Sequence, residues 1–252
     1  MRISNRFCMA IIVACVLGWA MFIALFWVGR DRIFSRISRV FVEQNSSFND
    51  RLNATKERIR QIPWMDERST VLFLGDSHIE MGRWYDLFNG RYAIQNAGLS
   101  QAKVHDVMEI GAAFEGRRFG GVVLMCGIND LGSGADSVEC LGDYGLLLDT
   151  VCRMTQSAHV RVVSVLPVVA KPLDHEARKI NSKVAALNLL IKKACHERGI
   201  RYVDLAQRIS VDNSLDGAFS LDGLHLNERG YAAMVHCLAE DFGSFPINTG
   251  VK

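Results

Sequence analysis

From Val71 onward, four short apolar runs are separated by stretches with helical periodicity. The runs are Val71–Leu74, Val122–Met125, Val160–Leu166 and Tyr202–Leu205. Runs this short and this apolar, with no polar residue at alternate positions in the first two, read as strands buried on both faces. The intervening stretches read as helices over Ser100–Glu115, Asp136–Thr155, His175–Arg198 and Asn227–Phe242. The third carries Ile180, Val184, Leu187, Ile191 and Cys195 on one face and stops at Gly199. Strand and helix in alternation require crossover connections. The expected fold is therefore α/β, a three-layer α/β/α sandwich around a mostly parallel sheet. Sheets of this kind build their sites beyond the carboxyl ends of the strands.

The residues at those ends carry chemistry. Val71–Leu74 runs directly into Gly75-Asp76-Ser77-His78, a tight turn that exposes a hydroxyl at the sheet edge. A serine needs a base to become a nucleophile. The candidate base lies in Leu221-Asp222-Gly223-Leu224-His225, where a carboxylate separated by two residues from an imidazole can reach back to one ring nitrogen. Such a carboxylate fixes the tautomer and stabilises the imidazolium. Asn227 reads as the cap of the helix that follows. Tyr92–Gly98 reads as a short strand ending in a glycine whose N–H can approach a substrate closely. Gly127-Ile128-Asn129-Asp130 follows Val122–Met125 and offers the Asn129 amide as a donor to a developing oxyanion. Taken singly, Ser77 also reads as a helix cap, and Asn129 as part of an Asx turn. Asp76 reads as the holder of the turn, and His78 as a pocket wall or a hydrogen-bonded core group. His78-Ile79-Glu80 is too short a pattern for a metal site, and no other His or Cys spacing extends it.

Gly-Asp-Ser, a glycine in a second block, Gly-x-Asn-Asp and Asp-x-x-His, in that order and each at a strand end, resemble the SGNH (GDSL-type) hydrolases. The resemblance spans roughly Thr70 to Phe242. It implies the flavodoxin-like SGNH fold, Ser77 as nucleophile, His225 as general base and Asp222 as its orienter. It also implies an oxyanion hole from the Ser77 N–H, the Gly98 N–H and the Asn129 side chain, with no metal or cofactor. Two departures stand out. His78 replaces the leucine of the namesake motif, as in family members that act on O-acylated carbohydrate. The second block, Asn96-Ala97-Gly98-Leu99-Ser100, lacks a further glycine three residues on.

The amino terminus differs from the rest. Phe7 through Val28 is a 22-residue run without a charge, long enough to cross a bilayer as a helix. No small-x-small cleavage site precedes the arginines that follow, so an uncleaved anchor over residues 1–30 is expected. Arg30, Arg32, Arg36 and Arg39 outnumber Arg2 and Arg6, a distribution that alone favours a cytoplasmic domain. Single-anchor hydrolases of the resembling family are generally exported, and the exported side, periplasmic in a bacterium, is the one expected here. Residues 31–66 read as a partly helical stalk that either spans to the domain, packs on it or lies along lipid. Residues 67–246 read as the hydrolase domain. A net charge of +2 gives no case for nucleic acid. Cys126, Cys140, Cys152, Cys195 and Cys237 read as buried free thiols.

The expected activity is that of a membrane-anchored serine esterase on a short acyl ester, such as O-acetyl on cell-envelope carbohydrate. Lysophospholipid or thioester hydrolysis, acyl transfer to a sugar, and a non-catalytic membrane-tethered binding role are the alternatives. Pocket walls are expected from Met81–Gly90, Leu131–Gly142 and Val168–Asp174.

Overall fold

The computed structural model describes residues 47–62, 70–171 and 174–242. The run Phe7–Val28, and with it the expected anchor, lies outside them. Among the described residues no helix is long and apolar enough to cross a membrane.

Five parallel strands form one sheet in the order β2-β1-β3-β4-β5. They are β1 Thr70–Gly75, β2 Ala93–Gly98, β3 Gly121–Met125, β4 Val160–Val163 and β5 Arg201–Val203. β1 lies between β2 and β3 with Gly75 level with both Gly98 and Met125, so the first strand of the described residues is flanked on either side by later ones. That is the order in which an open α/β sheet reverses direction, and it opens a crevice beyond the end of β1.

Alternate residues of each strand face opposite layers. Val71, Phe73, Val123, Met125, Val163 and Val203 join a core with Trp84, Phe88, Leu226, Tyr231, Met234 and Leu238. These last come from α3 (Trp84–Leu87), the loop that follows it, and α9 (Glu228–Phe242) with the residues before it. Phe73 stacks on Trp84 with ring centroids 4.4 Å apart, and Tyr231 meets Trp84 edge-on. Leu72, Leu74, Val122 and Leu124 are fully buried with the opposite parity. On that side lie α4 (Val104–Ala112), α6 (Ser137–Met154) and α7 (His175–Glu197), which pack on one another in series. Gly111 of α4 lies against Leu74, Thr150 and Met154.

The helices start where short acceptors precede them. Asp136 takes the Val138 and Glu139 N–H groups at the start of α6, and Asp174 takes the Ala177 N–H at the start of α7. Gly199, at φ 66°, closes α7. A helix over 47–61 precedes β1. From Leu52 on it packs against the domain. Ile59 is buried, Lys56 pairs with Glu109 of α4 at 2.5 Å, and the Arg117 guanidinium donates to the Ile59 and Ile62 carbonyls.

β4 ends at Val163, three residues before the apolar run does. Beyond it the backbone is held by side chains instead of a neighbouring strand. Asn188 of α7 bonds both the N–H and the carbonyl of Val165, and Asn181 does the same for Val168. Several short elements were absent from the sequence reading, among them α3, α8 (Leu205–Ile209), capped by Asp204, and the small hairpin β6 (Ser210–Val211) and β7 (Ser214–Leu215). The five cysteines of the described residues are free thiols, and all but Cys152 are buried. Burial pushes the Cys126 thiol well above its ordinary range and those of Cys140 and Cys195 up to about 12. These are inert groups at neutral pH.

Candidate active site

β1 delivers Ser77 to the crevice through a turn with no room to vary. A Cβ on Gly75 would stand 1.9 Å from the Met125 carbonyl oxygen, so the end of β1 lies hard against the end of β3. The Asp76 N–H donates to that same carbonyl. Asp76 then caps α2 (Ser77–Glu80) by accepting the His78 N–H at 3.0 Å. Ser77 is the first residue of this short helix and is 5% exposed.

The loop before α9 brings the base. His225 Nε2 lies 3.2 Å from Ser77 Oγ, and His225 Nδ1 lies 2.7 Å from Asp222 Oδ2. A carboxylate accepts only, so Nδ1 carries the ring hydrogen and Nε2 presents a lone pair to the Ser77 hydroxyl. Asp222 Oδ1 accepts the Leu224 and His225 N–H groups at 3.0 and 2.8 Å, which fixes the carboxylate relative to the ring. The His225 ring, followed by these backbone donors, holds the Asp222 carboxyl well below the usual carboxylate range. It stays ionised throughout the neutral range. The loop is shaped by Gly223 at φ 97°, by Ser220 Oγ between the Gly223 N–H and the His225 carbonyl, and by Asn227. The Asn227 carboxamide donates to the Ala218 and Ser220 carbonyls and accepts the Gly230 N–H as a cap of α9.

Three backbone segments converge beside Ser77. The Ser77 N–H, at the first position of α2, has no acceptor inside that helix. Gly127, at φ 125°, turns β3 into α5 (Ile128–Gly132), where the Asn129 amide donates one N–H to the Ala102 carbonyl at 2.9 Å. Asp130, 9% exposed, accepts the Val104 N–H at the start of α4. Burial, against that bond, pushes its carboxyl up to about 6.

The Gly98 N–H is otherwise engaged. It donates to Asn96 Oδ1 at 2.9 Å, and the Asn96 amide in turn donates to the Ile79 and Glu80 carbonyls at the end of α2. A Cβ on Gly98 would lie 2.2 Å from the Glu80 nitrogen, so glycine there lets α2 sit on β2. Glu80 accepts from both the N–H and the hydroxyl of Ser100. Three residues past Gly98, Gln101 stands at φ 73°, the left-handed region that favours glycine. Its N–H meets no acceptor among the described residues. Among those residues, no group of three or more His, Cys, Asp or Glu side chains is placed to hold a metal ion.

The family model for the GDSL-like lipase/acylhydrolase family matches residues 73–233. The chain belongs to that family. Solved structures share the fold of this GDSL-like chain. A Streptococcus pneumonia protein, described provisionally as a platelet activating factor, superposes with a TM-score of 0.70 at 21% identity, covering 82% of this chain and 98% of its own. A GDSL-like lipase from Bacteroides thetaiotaomicron gives 0.62 at 19% identity, with coverages of 75% and 95%. A variant of an acetylxylan esterase from Geobacillus stearothermophilus gives 0.56 at 16% identity, with coverages of 71% and 96%. A search of curated proteins finds no match.

Sequence reasoning on this GDSL-like chain missed the bonds that position its motif residues. Asn96 and Ser100 hold α2 from outside it, Ser100 through the Glu80 carboxylate, and nothing in a linear motif announces that. Gln101 had a signal, because it occupies the position where a second glycine was absent.

Proposed function

We propose that this chain is a serine esterase in which Ser77, His225 and Asp222 form the reacting chain. The hydrogen-bonded line from Ser77 Oγ through His225 to Asp222 carries this reading. Ser77 Oγ attacks the ester carbonyl carbon while its proton passes to His225 Nε2. The oxyanion is met by the Ser77 N–H and by the second N–H of the Asn129 amide, the first being spent on Ala102. The Gln101 N–H takes the part expected of Gly98, whose own N–H is held by Asn96. Collapse breaks the ester C–O bond, and the leaving alkoxide takes the proton from His225. Water then adds to the acyl-enzyme with His225 again as base, releasing the acid and restoring Ser77.

The favoured substrate is a short acyl ester, O-acetyl on cell-envelope carbohydrate. His78 in the first motif and the fold shared with an acetylxylan esterase support it. A second reading has its own observation. A cleft of about 870 Å³, lined by Met81, Leu87, Leu221 and Leu226 together with the charged Arg83, Asp86, Glu228 and Arg229, adjoins the Asp222–His225 loop, and its apolar part suits a longer acyl chain. Hydrolysis of p-nitrophenyl acetate, butyrate and octanoate by the full chain, with Ser77→Ala as control, separates them. Serine-dependent turnover strongest on acetate is expected. Preference for octanoate would favour the second reading, and no difference between the two proteins on any ester would overturn both.

The charge-free run Phe7–Val28 supports an uncleaved membrane anchor; the exported side for the domain, periplasmic in a bacterium, rests on the general habit of single-anchor hydrolases of this family, against the arginine distribution. Protease added to intact spheroplasts is expected to digest the domain. Protection until lysis would reverse the orientation.

A further inference from the structure

His78 is a buried titratable group beside Ser77 and His225 that this mechanism does not use. Its ring is 1% exposed and lies between two acceptors. Nδ1 is 3.2 Å from Asp76 Oδ1, and Nε2 is 3.1 Å from the Leu224 carbonyl oxygen. A neutral imidazole has a single N–H and satisfies one of them; an imidazolium satisfies both. Asp76, also 1% exposed, supplies the balancing negative charge.

The placement of the two acceptors gives this ring a task. Asp76 immediately precedes Ser77, and Leu224 immediately precedes His225. The ring therefore spans the turn that carries the nucleophile and the loop that carries the base, with its centroid 5.8 Å from that of His225. The other end of the residue is anchored too, since the Tyr231 hydroxyl of α9 donates to the His78 carbonyl at 2.9 Å.

We propose that His78 is a positioning residue, a buried imidazolium that straps the Ser77 turn to the His225 loop and keeps nucleophile and base in register only while both its nitrogens are protonated. This rests on the reading of Ser77 and His225 as the reacting pair. The two imidazoles then need opposite charge states, His225 neutral to accept a proton and His78 cationic to hold the loop.

The groups that face this ring favour the cation. Asp76 lies on the β1–α2 turn and Asp222 on the base loop. The His225 ring, 5.8 Å away, is neutral while it serves as base, the Cys126 thiol at the end of β3 stays neutral, and the Tyr231 hydroxyl of α9 bonds the main chain of His78 and not its ring. Burial pushes the imidazole down, but the hydrogen bond and charge of Asp76, the Leu224 carbonyl and the charge of Asp222 outweigh it. The net shift is upward from 6.5. A group raised on folding contributes fully below its unfolded value and loses its contribution as pH rises through the folded one. The strap is therefore intact in mild acid and is released on the alkaline side.

The test uses the full chain as wild type, His78→Gln and His78→Leu. kcat and KM on p-nitrophenyl acetate are followed from about pH 5 to about pH 10. Wild type is expected to lose kcat at alkaline pH in step with deprotonation of the His78 ring, read from its imidazole ¹⁵N shifts. His78→Gln, whose amide can donate to Leu224 but does not titrate, should lose that alkaline decline. Its kcat should drop about 10- to 100-fold with KM within about threefold, since misplacing one catalytic group by an ångström costs on that order. His78→Leu should fall further. A singly protonated His78 ring in wild type at neutral pH would overturn the proposal, as would His78→Gln with wild-type kcat and an unchanged alkaline decline. Should wild type itself show no Ser77-dependent turnover, the esterase reading fails separately. Amide exchange at Leu224 and His225 then decides the strap: faster exchange in His78→Gln, or in wild type at alkaline pH, upholds it, and unchanged exchange sinks it. The ring shifts come from wild type alone, so they decide the charge state even if a variant does not fold.

Discussion

Single residues set the chemistry of this site through bonds whose loss is specific. On the proposed mechanism Asn129→Ala removes one oxyanion donor and should lower kcat about 10²-fold or more with KM little changed, read from steady-state kinetics on the acetate ester. Asp222→Asn keeps the shape of the loop but turns an acceptor into a donor toward His225 Nδ1. The ring should then adopt the other tautomer, and kcat should fall by about 10³ or more; residual turnover above a tenth of wild type would contradict the role given to Asp222. The grouping of Ser77, His225 and Asp222 was legible in the sequence because each lies within a short motif, where local spacing and local geometry coincide. Gly98 shows the opposite. Its neighbours suggest an exposed backbone donor, yet the N–H is taken by Asn96, and the reason for glycine is the α2 backbone 2.2 Å from where a Cβ would be.

At the scale of elements, α2 is a four-residue helix that cannot persist by itself. Gly75 lets β1 close on β3, Gly98 lets β2 close on α2, and Asn96 and Glu80 tie the two chains together. Gly98→Ala should force β2 and α2 apart and cost about 2–4 kcal/mol of stability, measurable by urea unfolding, with turnover falling alongside. The strands and the long helices were readable because their apolar periods are strong and their caps are ordinary Asp, Asn and Gly signals. β4 was read too long because Val165 and Leu166 are as apolar as a strand. Leu166 is buried in the core shared with Leu226 and Met234, and the backbone bonds of Val165 go to the Asn188 side chain of α7. α8 and the β6–β7 hairpin are too short to impose a period.

Across the whole molecule, stability is coupled to pH through a carboxyl outside the reacting chain. Asp130, raised from 3.8 to about 6 chiefly by burial, holds its proton more tightly folded than unfolded. Its protonation favours folding below 3.8, and that advantage is lost as pH rises through about 6. Asp130→Asn keeps an acceptor for the Val104 N–H without the buried charge. The Tm of the variant relative to wild type should therefore climb between about pH 4 and about pH 7, and a flat difference would show that the carboxyl is not perturbed. No sequence pattern announces this, since it depends on what α4 covers.

On the proposed mechanism the two halves of the reacting chain are contributed 148 positions apart, with the hydroxyl just past β1 and the imidazole just before α9. A ribosome therefore finishes the nucleophile long before it makes the partner that awakens it. Every partly synthesised chain, and every chain cut off ahead of residue 220, carries a dormant serine. Chemical competence arrives as the final event of maturation: in refolding experiments, turnover should return only after the spectroscopic signal of the sheet has recovered.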